Sequence, residues 1–508
     1  MIRRRALLAA ALLAFALPAV AQKKAAKGAV DLSSIDPVVT AMMAEWKVPG
    51  LALGVVKDGQ VVYAKGYGYR DVEAKLPVTP RTLMAIGSNT KSMTVVLMGM
   101  LVDEKKVEWD KPVKSYLPDF QMYDDYATRN LTPRDLVNHR SGLPRHDIVW
   151  YGRKTTRKEI LGRLRYLEPT TTFRNIWQYQ NLMYATAGYL EEVLTGRSWD
   201  DLMRERIFAP LGMSRSNTAI TESPKSDDFS WAYGVKDGAI VRIPFRSADH
   251  VGPAGSANSS IEDMLKYVQF RIDLGMAGGK RLLSEAQAKE MQSPQMPVGP
   301  AADALWAGFD QTTYGLGVGT GFYRGHRAVI HGGGIDGFIS QMSWLPDDKI
   351  GVVVLTNQGV NNGIPTLVVK AVYDRILGLP PIDWAAKQRE FDKVGARQAA
   401  EYEAKQAAER KTGTSPSRAL ADFVGSYSHP GYGTFVVRMA GGGLELVADD
   451  LSAPLEHYHY DTFKVAESPT SGMLQGLVSF LTNPKGQVDR VSIPLEPAIA
   501  PIILKRVP

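Results

Sequence analysis

Apolar runs rich in β-branched residues occur near the start of the chain and again far downstream. Residues 51–56 and 61–66 form two such runs, with Asp58-Gly59 between them. An Asp-Gly pair in this position is typical of a tight β-hairpin. The downstream runs lie at 328–331, 338–345 and 351–356. The sequence therefore predicts strands at both ends of one domain.

Between these strands the apolar residues recur at helical spacing. From Ser88 to Glu104 the pattern predicts a helix, with Ser88 as its starting residue. Further helices are predicted at 182–194 and 261–274, each followed closely by glycine. Strands at both ends with helices between them indicate an α+β domain whose sheet joins distant parts of the chain.

The pattern changes again after Pro380-Pro381. Residues 384–411 are dense in Ala, Glu, Lys, Arg and Gln, which is typical of a mostly solvated spacer helix and leaves a partner-binding helix as an alternative. Beyond it, short apolar runs at 434–439, 444–447 and 488–493 are separated by Gly, Pro and Asn turns. This spacing predicts a small β-barrel or β-sandwich.

The N-terminus carries a different signal. Arg3-Arg4-Arg5 precedes an apolar run at 6–20 that ends in the small-residue sequence Ala19-Val20-Ala21. This arrangement predicts a cleavable export signal at 1–21, because a run of about 15 apolar residues is short for a membrane-spanning helix. We therefore expect an exported protein, periplasmic or secreted, without a stable membrane anchor.

Composition narrows the chemistry further. The 508 residues are 44% hydrophobic and 22% charged, which is ordinary for a globular protein of more than one domain. Removing residues 1–21, which contain three arginines and no acidic residue, lowers the net charge from +7 to +4, and the remaining basic residues are scattered. A nucleic-acid partner is therefore not expected. The absence of cysteine excludes a thiol nucleophile, disulfides, thiolate metal sites and a lipidated cysteine.

Acyl transfer by serine requires a base for the hydroxyl proton, donors for the oxyanion and an acid for the leaving group. The chain contains a single Ser-x-x-Lys sequence, from Ser88 to Lys91. At the start of a helix this spacing places the hydroxyl and the amine on one face. Burial would keep the amine neutral for part of the time, as a base requires. Taken alone, the motif is equally compatible with an ordinary capped helix.

Two further motifs follow in the order that such sites use. Tyr179-Gln180-Asn181 precedes a helical segment, and His331-Gly332-Gly333-Gly334 ends a strand. Together with landmarks at 136–144, Pro253-Ala254-Gly255 and 351–357, they resemble the serine β-lactamase-related family, which includes class C β-lactamases, DD-peptidases, D-aminopeptidases and esterases. The resemblance implies an antiparallel sheet flanked by helices, together with an all-helical region.

The resemblance also implies a role for each residue of the first two motifs. Ser88 would be the nucleophile and Lys91 the first proton acceptor. Tyr179 would share the work of the base and would pass a proton to the leaving group, and either group could dominate. Asn181 would bind the acyl side chain of the substrate and orient Lys91. No metal or other cofactor is implied.

The third motif departs from the family pattern. The resemblance makes His331, Gly333 and Gly334 substrate-binding residues, with the backbone N–H of Gly334 joining that of Ser88 at the oxyanion. The family has Lys-Thr-Gly here, and its lysine is a permanent cation, whereas histidine is mostly neutral near neutral pH. The sequence therefore favours an esterase or a D-amino-acid-type peptidase over an enzyme that binds penicillin-like carboxylates avidly.

Several alternatives stay open at this point. A β-lactamase or DD-peptidase acting on cell-wall material is one, and a non-catalytic protein that binds peptides or cell wall is another. Ser256-Ala257-Asn258 mimics a rival second motif. His139, His146 and the pair His457 and His459 lack spacings such as His-Glu-x-x-His, so we expect structural roles and no metal site. The expected partner is a small ester, peptide or β-lactam-like molecule.

These patterns predict five segments. They are a signal peptide at 1–21, a linker at 22–34, the serine hydrolase domain at 35–378, a helical linker at 379–417 and a β-domain at 418–508. The last segment resembles the lipocalin-like domain appended to some peptidases of the family, where it is associated with assembly or with access to the site. The resemblance therefore allows a homo-oligomer formed through this domain.

Overall fold

The computed structural model describes residues 32–299, 308–359, 363–468 and 470–508. The predicted signal peptide at 1–21 and most of the predicted linker at 22–34 lie outside the described residues. Within the described ranges, every helix is too short or too polar to cross a bilayer.

Most strands of the N-terminal part belong to one antiparallel sheet. In chain order the strands are β1 (Gly50–Lys57), β2 (Gln60–Asp71), β3 (Leu76–Pro77), β4 (Met84–Ala85), β5 (Ala232–Lys236), β6 (Ala239–Ile243), β7 (Asn258–Ser259), β8 (Met276–Ala277), β9 (Lys280–Arg281), β10 (Met296–Pro297), β11 (Asp310–Tyr314), β12 (Gly319–Tyr323), β13 (His326–Ile335), β14 (Phe338–Leu345) and β15 (Ile350–Thr356). The sheet has the order β10-β11-β12-β13-β14-β15-β1-β2-β3.

The sheet joins the two ends of this part of the chain, as the sequence predicts. Strands β1 and β15 pair antiparallel, with Leu53 opposite Val354. The hairpin between β1 and β2 turns at Asp58 and Gly59, which both have positive φ, at 50° and 79°. Those values explain the Asp-Gly pair, because few other residues adopt this conformation without strain.

Helices surround the sheet and fill the middle of the chain. They are α1 (Asp36–Glu45), α2 (Thr90–Asp103), α3 (Asp125–Asn130), α4 (Pro133–Val137), α5 (Arg157–Arg163), α6 (Leu182–Thr195), α7 (Trp199–Leu202), α8 (Gly252–Gly255), α9 (Ile261–Ile272), α10 (Glu285–Met291), α11 (Ile364–Ile376) and α12 (Trp384–Glu409). The predicted α+β class, with an antiparallel sheet flanked by helices, is confirmed.

Helix α9 packs directly on the sheet. A Cβ atom at Gly54 would lie 2.4 Å from the Ile261 side chain, and one at Gly351 would lie 2.4 Å from the Val268 side chain. Both strand glycines therefore allow the helix to approach more closely than any side chain would. The two glycines belong to β1 and β15, which lie in the same sheet as β13, the strand of the third sequence motif.

The long helix α12 leads to a second, all-β part. Trp384 is its buried residue, and the rest of the helix is largely exposed, as predicted for a spacer. The strands that follow are β16 (Gly425–His429), β17 (Gly433–Ala440), β18 (Gly443–Ala448), β19 (Leu451–His459), β20 (Thr462–Val465), β21 (Leu477–Thr482), β22 (Val488–Ile493) and β23 (Ile502–Val507). They form a closed barrel, which decides between the two predicted all-β architectures.

Candidate active site

Ser88 lies in a tight turn, Gly87–Asn89, immediately before α2. The sequence predicts that the helix starts at Ser88, whereas α2 begins two residues later, at Thr90, and has no side-chain cap. The Thr90 hydroxyl instead donates a hydrogen bond to the Gly87 carbonyl at 2.7 Å. The Ser88 side chain is consequently free to face the cleft, where it is partly exposed.

Lys91 is fully buried one turn further along. Its Nζ lies 3.0 Å from Ser88 Oγ, 2.8 Å from Asn181 Oδ1 and 2.7 Å from the Ala254 carbonyl oxygen. Burial holds the pKa of this amine well below its ordinary value, and the nearby positive charge of Arg145 lowers it further. Burial therefore favours the neutral form of the amine that lies against the serine hydroxyl.

The amide of Asn181 is oriented by a carboxylate that was not predicted from the sequence. Asp147 Oδ1 accepts hydrogen bonds from Asn181 Nδ2 at 2.9 Å and from Trp150 Nε1 at 2.7 Å, and Oδ2 accepts one from Arg145 Nε at 2.5 Å. Because a carboxylate only accepts, the NH₂ end of Asn181 must face Asp147. The amide oxygen is thereby turned toward Lys91.

Tyr179 lies between two basic side chains. Lys91 Nζ is 4.8 Å and Arg145 Cζ is 5.0 Å from the centre of its ring. Burial raises the pKa of the phenol to about 12, although its hydrogen bond with Ser88 and the charge of Arg145 both act to lower it. The phenol therefore keeps its proton at neutral pH while it touches the serine.

The imidazole of His139 also packs against the phenol of Tyr179. The two ring centres are 4.3 Å apart, and His139 Nδ1 accepts the backbone N–H of Gln180 at 3.0 Å. Burial holds the pKa of His139 well below its ordinary value, so this ring is neutral. Its role is structural, as expected, since it fixes both the ring and the backbone of the Tyr179 segment.

His331 does not present an N–H group to a substrate. Its Nδ1 lies 2.6 Å from the Gly332 carbonyl oxygen, which can only accept, so Nδ1 carries the proton. Its Nε2 then accepts from the Tyr314 hydroxyl at 2.9 Å. Burial and the nearby Lys91 lower the pKa of His331 to about 3, which keeps it neutral. The His331 ring therefore orients the Tyr314 hydroxyl. The family resemblance implied instead that His331 contacts the substrate.

The glycines of the third motif bring β13 against the serine turn. A Cβ atom at Gly333 would lie 1.9 Å from the Ile86 carbonyl oxygen, and one at Gly87 would lie 2.7 Å from the Gly334 nitrogen. Only glycine permits this approach of two backbones. Gly333 is thus a packing residue, whereas Gly334 lines the cleft.

A cavity of about 290 Å³ opens over Ser88. Asn181 and Gly334 line it. Among the lining residues that the sequence does not predict are Arg145, Trp150, Tyr151, Asp336, Ile339 and Met473. Half of the Arg145 side chain is exposed, at 52%. Met473 belongs to the C-terminal barrel part of the chain, so the barrel contributes to the wall of the cleft.

The other candidates stay outside this cluster. Asn258 Nδ2 donates to Asn217 Oδ1 at 2.8 Å, and the Ser256 hydroxyl has no partner among the described residues. The rival motif at 256–258 therefore does not reach Lys91, whose neighbour in this region is the Ala254 carbonyl. Within the described ranges, no group of three potential ligand side chains could hold a metal ion.

Arg145 and Asp147 follow the predicted landmark at 136–144 by one and three residues. A single arginine or aspartate in a loop has no periodicity and no motif partner. Only their position directly after that landmark could have drawn attention to them.

The cluster can be compared with known proteins. "Unguisins hydrolase ungD'" from Aspergillus campestris is 31% identical over 420 residues, covering 78% of this chain and 75% of the relative. "Unguisins hydrolase ungD" from Aspergillus violaceofuscus is 28% identical over 494 residues, covering 89% of this chain and 86% of the relative.

A solved structure shares the whole architecture. The octameric penicillin-binding protein homologue from Pyrococcus abyssi is 25% identical, with a TM-score of 0.61. The match covers 94% of this chain and all of that one. It therefore includes the barrel as well as the sheet and helices.

Two family matches correspond to the two parts of the chain, the sheet with its helices and the barrel. The family described as "Beta-lactamase" matches residues 35–368, and the "Domain of unknown function (DUF3471)" matches residues 409–502. The first match spans well over half of the chain and contains Ser88, Lys91, Tyr179, Asn181 and His331. On these matches and on the hydrolase relatives, the chain belongs to the β-lactamase family of serine hydrolases.

Proposed function

We propose that Ser88 is the nucleophile of a hydrolase that works through an acyl-enzyme, with Lys91 as the base. A neutral amine has two N–H donors and one lone pair. Two of the three neighbours of Lys91 Nζ, the Asn181 and Ala254 oxygens, can only accept hydrogen bonds. Both N–H groups are used there, so the lone pair faces the Ser88 hydroxyl, and this single observation carries the proposal.

The proton balance of acylation follows from the same contacts. Ser88 Oγ forms the bond to the acyl carbon while its proton moves to Lys91 Nζ. Tyr179, which is protonated at neutral pH, gives its proton to the departing nitrogen or oxygen as the acyl bond breaks. The proton held by Lys91 then restores the phenol. In deacylation a water molecule takes the place of the leaving group and the transfers run in reverse.

The oxyanion of the tetrahedral intermediate would bind the backbone N–H groups of Ser88 and Gly334. Both residues line the same cleft, and the glycine contacts hold the serine turn against β13. Donors fixed in position before the reaction need little reorganisation when charge develops.

For the substrate class we propose esters, peptides or amides. The neutral His331 supplies no cation where the family pattern has lysine. Two relatives of the chain are named as hydrolases of unguisins, which supports hydrolysis as its reaction. Arg145 supports the second candidate, a β-lactamase or DD-peptidase, because its half-exposed, positively charged side chain lines the cleft where a substrate carboxylate would bind.

Labelling with a serine-reactive fluorophosphonate tests the nucleophile. The intact mass of the wild type should rise by one label, and Ser88→Ala should abolish both labelling and turnover. Ser256→Ala, which alters the serine of the rival motif, should label like the wild type. An unlabelled wild type with no turnover would favour the non-catalytic binding protein.

The substrate class is tested by comparing kcat/KM for a short-chain ester, a D-amino-acid amide and a cephalosporin. We expect the ester or the amide to be preferred. A strong preference for the cephalosporin would establish the β-lactamase alternative.

We also propose that the protein is exported after cleavage behind residue 21 and forms a homo-oligomer through the barrel. The N-terminal pattern supports export, and the octameric homologue, which matches along nearly the full chain, supports assembly. The mass of the protein recovered from the periplasm or medium tests the first proposal. Light scattering coupled to size-exclusion chromatography tests the second, with a monomer as the contradicting result.

A further inference from the structure

His146 joins the two active-site residues Arg145 and Asp147 in an unusual backbone conformation. Its φ and ψ are 47° and 35°, in the left-handed region that residues with a side chain rarely adopt. Such a conformation persists only where the surroundings impose it, and it is common at functional sites. The question is which contacts impose it here.

The C-terminal part of the chain supplies two of those contacts. Glu496 lies between β22 and β23, and its Oε2 accepts the backbone N–H of His146 at 2.7 Å. Tyr432 lies between β16 and β17, and its hydroxyl is 2.7 Å from His146 Nδ1. Since His146 Nε2 faces the Glu168 carbonyl oxygen at 3.0 Å, Nε2 is the donor and Nδ1 accepts from Tyr432. All three groups are buried or nearly so.

The neighbours of His146 carry this fixation into the catalytic cluster. Arg145 covers the ring of Tyr179, and Asp147 sets the orientation of the Asn181 amide. The amide oxygen of Asn181 accepts a hydrogen bond from Lys91 Nζ. This contact leaves the lone pair of Lys91 facing Ser88. An unbroken series of hydrogen bonds and one peptide segment thus runs from the barrel to the nucleophile.

We infer that Glu496 is a positioning residue for catalysis, through which the barrel holds the Arg145–Asp147 segment in its active geometry. The inference rests on the proposed function of Ser88 and Lys91. It predicts that the barrel affects the rate of the chemical step. A small displacement of a catalytic group lowers that rate far more than it lowers the affinity for substrate.

The test compares three variants of the full-length chain. Glu496→Ala removes the acceptor, Glu496→Gln keeps an amide oxygen that can accept the same N–H, and Asp449→Asn is the matched control. Asp449 is also a barrel carboxylate that binds this loop, since it accepts the Lys154 N–H at 3.1 Å and pairs with Arg153, but it does not contact His146. Ester hydrolysis gives kcat and KM, and circular dichroism gives the folded fraction.

We expect Glu496→Ala to lower kcat by about tenfold to 100-fold, with KM changed by less than about threefold. Glu496→Gln should regain most of the lost kcat, and Asp449→Asn should stay within about twofold of the wild type. If Glu496→Ala does not fold, Tyr432→Phe, which removes only one hydroxyl, takes its place with the same direction of effect.

Equal losses of kcat in Glu496→Ala and Asp449→Asn would overturn the inference, as would a loss that disappears after correction for the folded fraction. A Glu496→Ala variant with wild-type kcat, measured beside an inactive Ser88→Ala, would overturn this inference alone. Turnover that persists in Ser88→Ala would instead overturn the proposed function.

Discussion

At the scale of single residues, two buried lysines show that a lowered pKa alone does not make an amine a catalytic base. Burial lowers the pKa of Lys370 to about 8, and its amine lies 4.7 Å from the centre of the Trp384 ring. Lys91 is also buried with a lowered pKa, but its amine touches a hydroxyl. A lowered pKa therefore identifies a base only where geometry gives the amine a proton to accept.

Replacing each lysine by methionine tests this distinction. Lys91→Met should lower kcat/KM by about 100-fold to 10,000-fold, because general-base assistance is lost while the shape is roughly kept. Lys370→Met should leave kcat/KM within about twofold, because its amine lies outside the cleft. Hydrolysis of a short-chain ester is the measurement, and similar losses in both variants would contradict a catalytic role for Lys91.

The pH profile of the same reaction has a defined sign. The rate should fall as pH decreases through the lowered pKa of Lys91, because protonation removes the lone pair that faces Ser88. It should fall again toward pH 12 as Tyr179 loses its proton.

Since the pKa of His331 is about 3, His331→Asn should keep the acidic side of the wild-type pH–rate profile unchanged.

The motif residues illustrate what a sequence can give at this scale. Ser88, Lys91, Tyr179 and Asn181 were predicted because each belongs to a short motif with fixed spacing, and the structure brings them together. The motif could not give the orientation of His331, which depends on the Tyr314 hydroxyl contributed by β11, two strands away from β13 in the same sheet.

At the scale of secondary structure, periodicity predicts the regular elements well and fails where backbone geometry departs from it. Strands β14 and β22 begin and end at the predicted residues. Strand β13 runs from His326 to Ile335, well beyond the predicted 328–331, because its continuation is made of glycines with no apolar signal. The tight turn at Ser88 is likewise invisible to a helical pattern.

Helix α6 contains a carboxyl group whose burial makes a stability prediction possible. Glu191 is fully buried, and neither side-chain oxygen has a partner among the described residues. Burial raises the pKa of Glu191 well above its ordinary value of 4.5, and the adjacent charge of Glu192 adds to the shift. The folded protein therefore binds a proton that the unfolded chain releases above pH 4.5, so this group destabilises the fold as pH rises.

Glu191→Gln removes that penalty. We expect the free energy of unfolding to rise by about 1–2 kcal/mol at neutral pH, and the gain to shrink as pH falls toward 4.5. Urea denaturation at both pH values is the measurement. Glu192→Gln is the adjacent control and should lower stability, because Glu192 pairs with Arg157 and accepts the Trp199 N–H. A pH-independent gain in Glu191→Gln would contradict the assigned protonation.

At the scale of the whole molecule, the fold class and an all-β C-terminal domain were predictable, but the contact between the barrel and the cleft was not. The α+β class, the antiparallel sheet and the C-terminal β-domain follow from periodicity and from family resemblance. The contact joins residues such as His146 and Glu496, separated by 350 positions. Each is an isolated polar residue in a loop, and nothing in the pattern of the chain links one to the other.

The interior of the barrel bears on what the second part of the molecule does. Phe423, Phe463 and Phe480 pack inside it, with ring centres 4.7 to 5.7 Å apart, and their side chains are buried. A barrel filled in this way is a packed core, unlike one that encloses a ligand. We therefore expect no saturable binding of an apolar fluorophore to the wild type, and we expect the barrel to serve the hydrolase through its surface contacts.

Phe480→Ala tests both parts of this interpretation. The cavity that it creates should destabilise the barrel by about 3–5 kcal/mol, whereas Phe322→Ala, at an exposed phenylalanine of β12, should have a small effect. Far-ultraviolet circular dichroism follows the unfolding of the barrel and of the hydrolase part together. Tryptophan fluorescence follows only the hydrolase part, because residues 418–508 contain no tryptophan. On heating Phe480→Ala, esterase activity should disappear with the barrel, before the hydrolase part unfolds, since Glu496 then releases His146. Activity that survives until the tryptophan transition would show that the cleft keeps its geometry without the barrel.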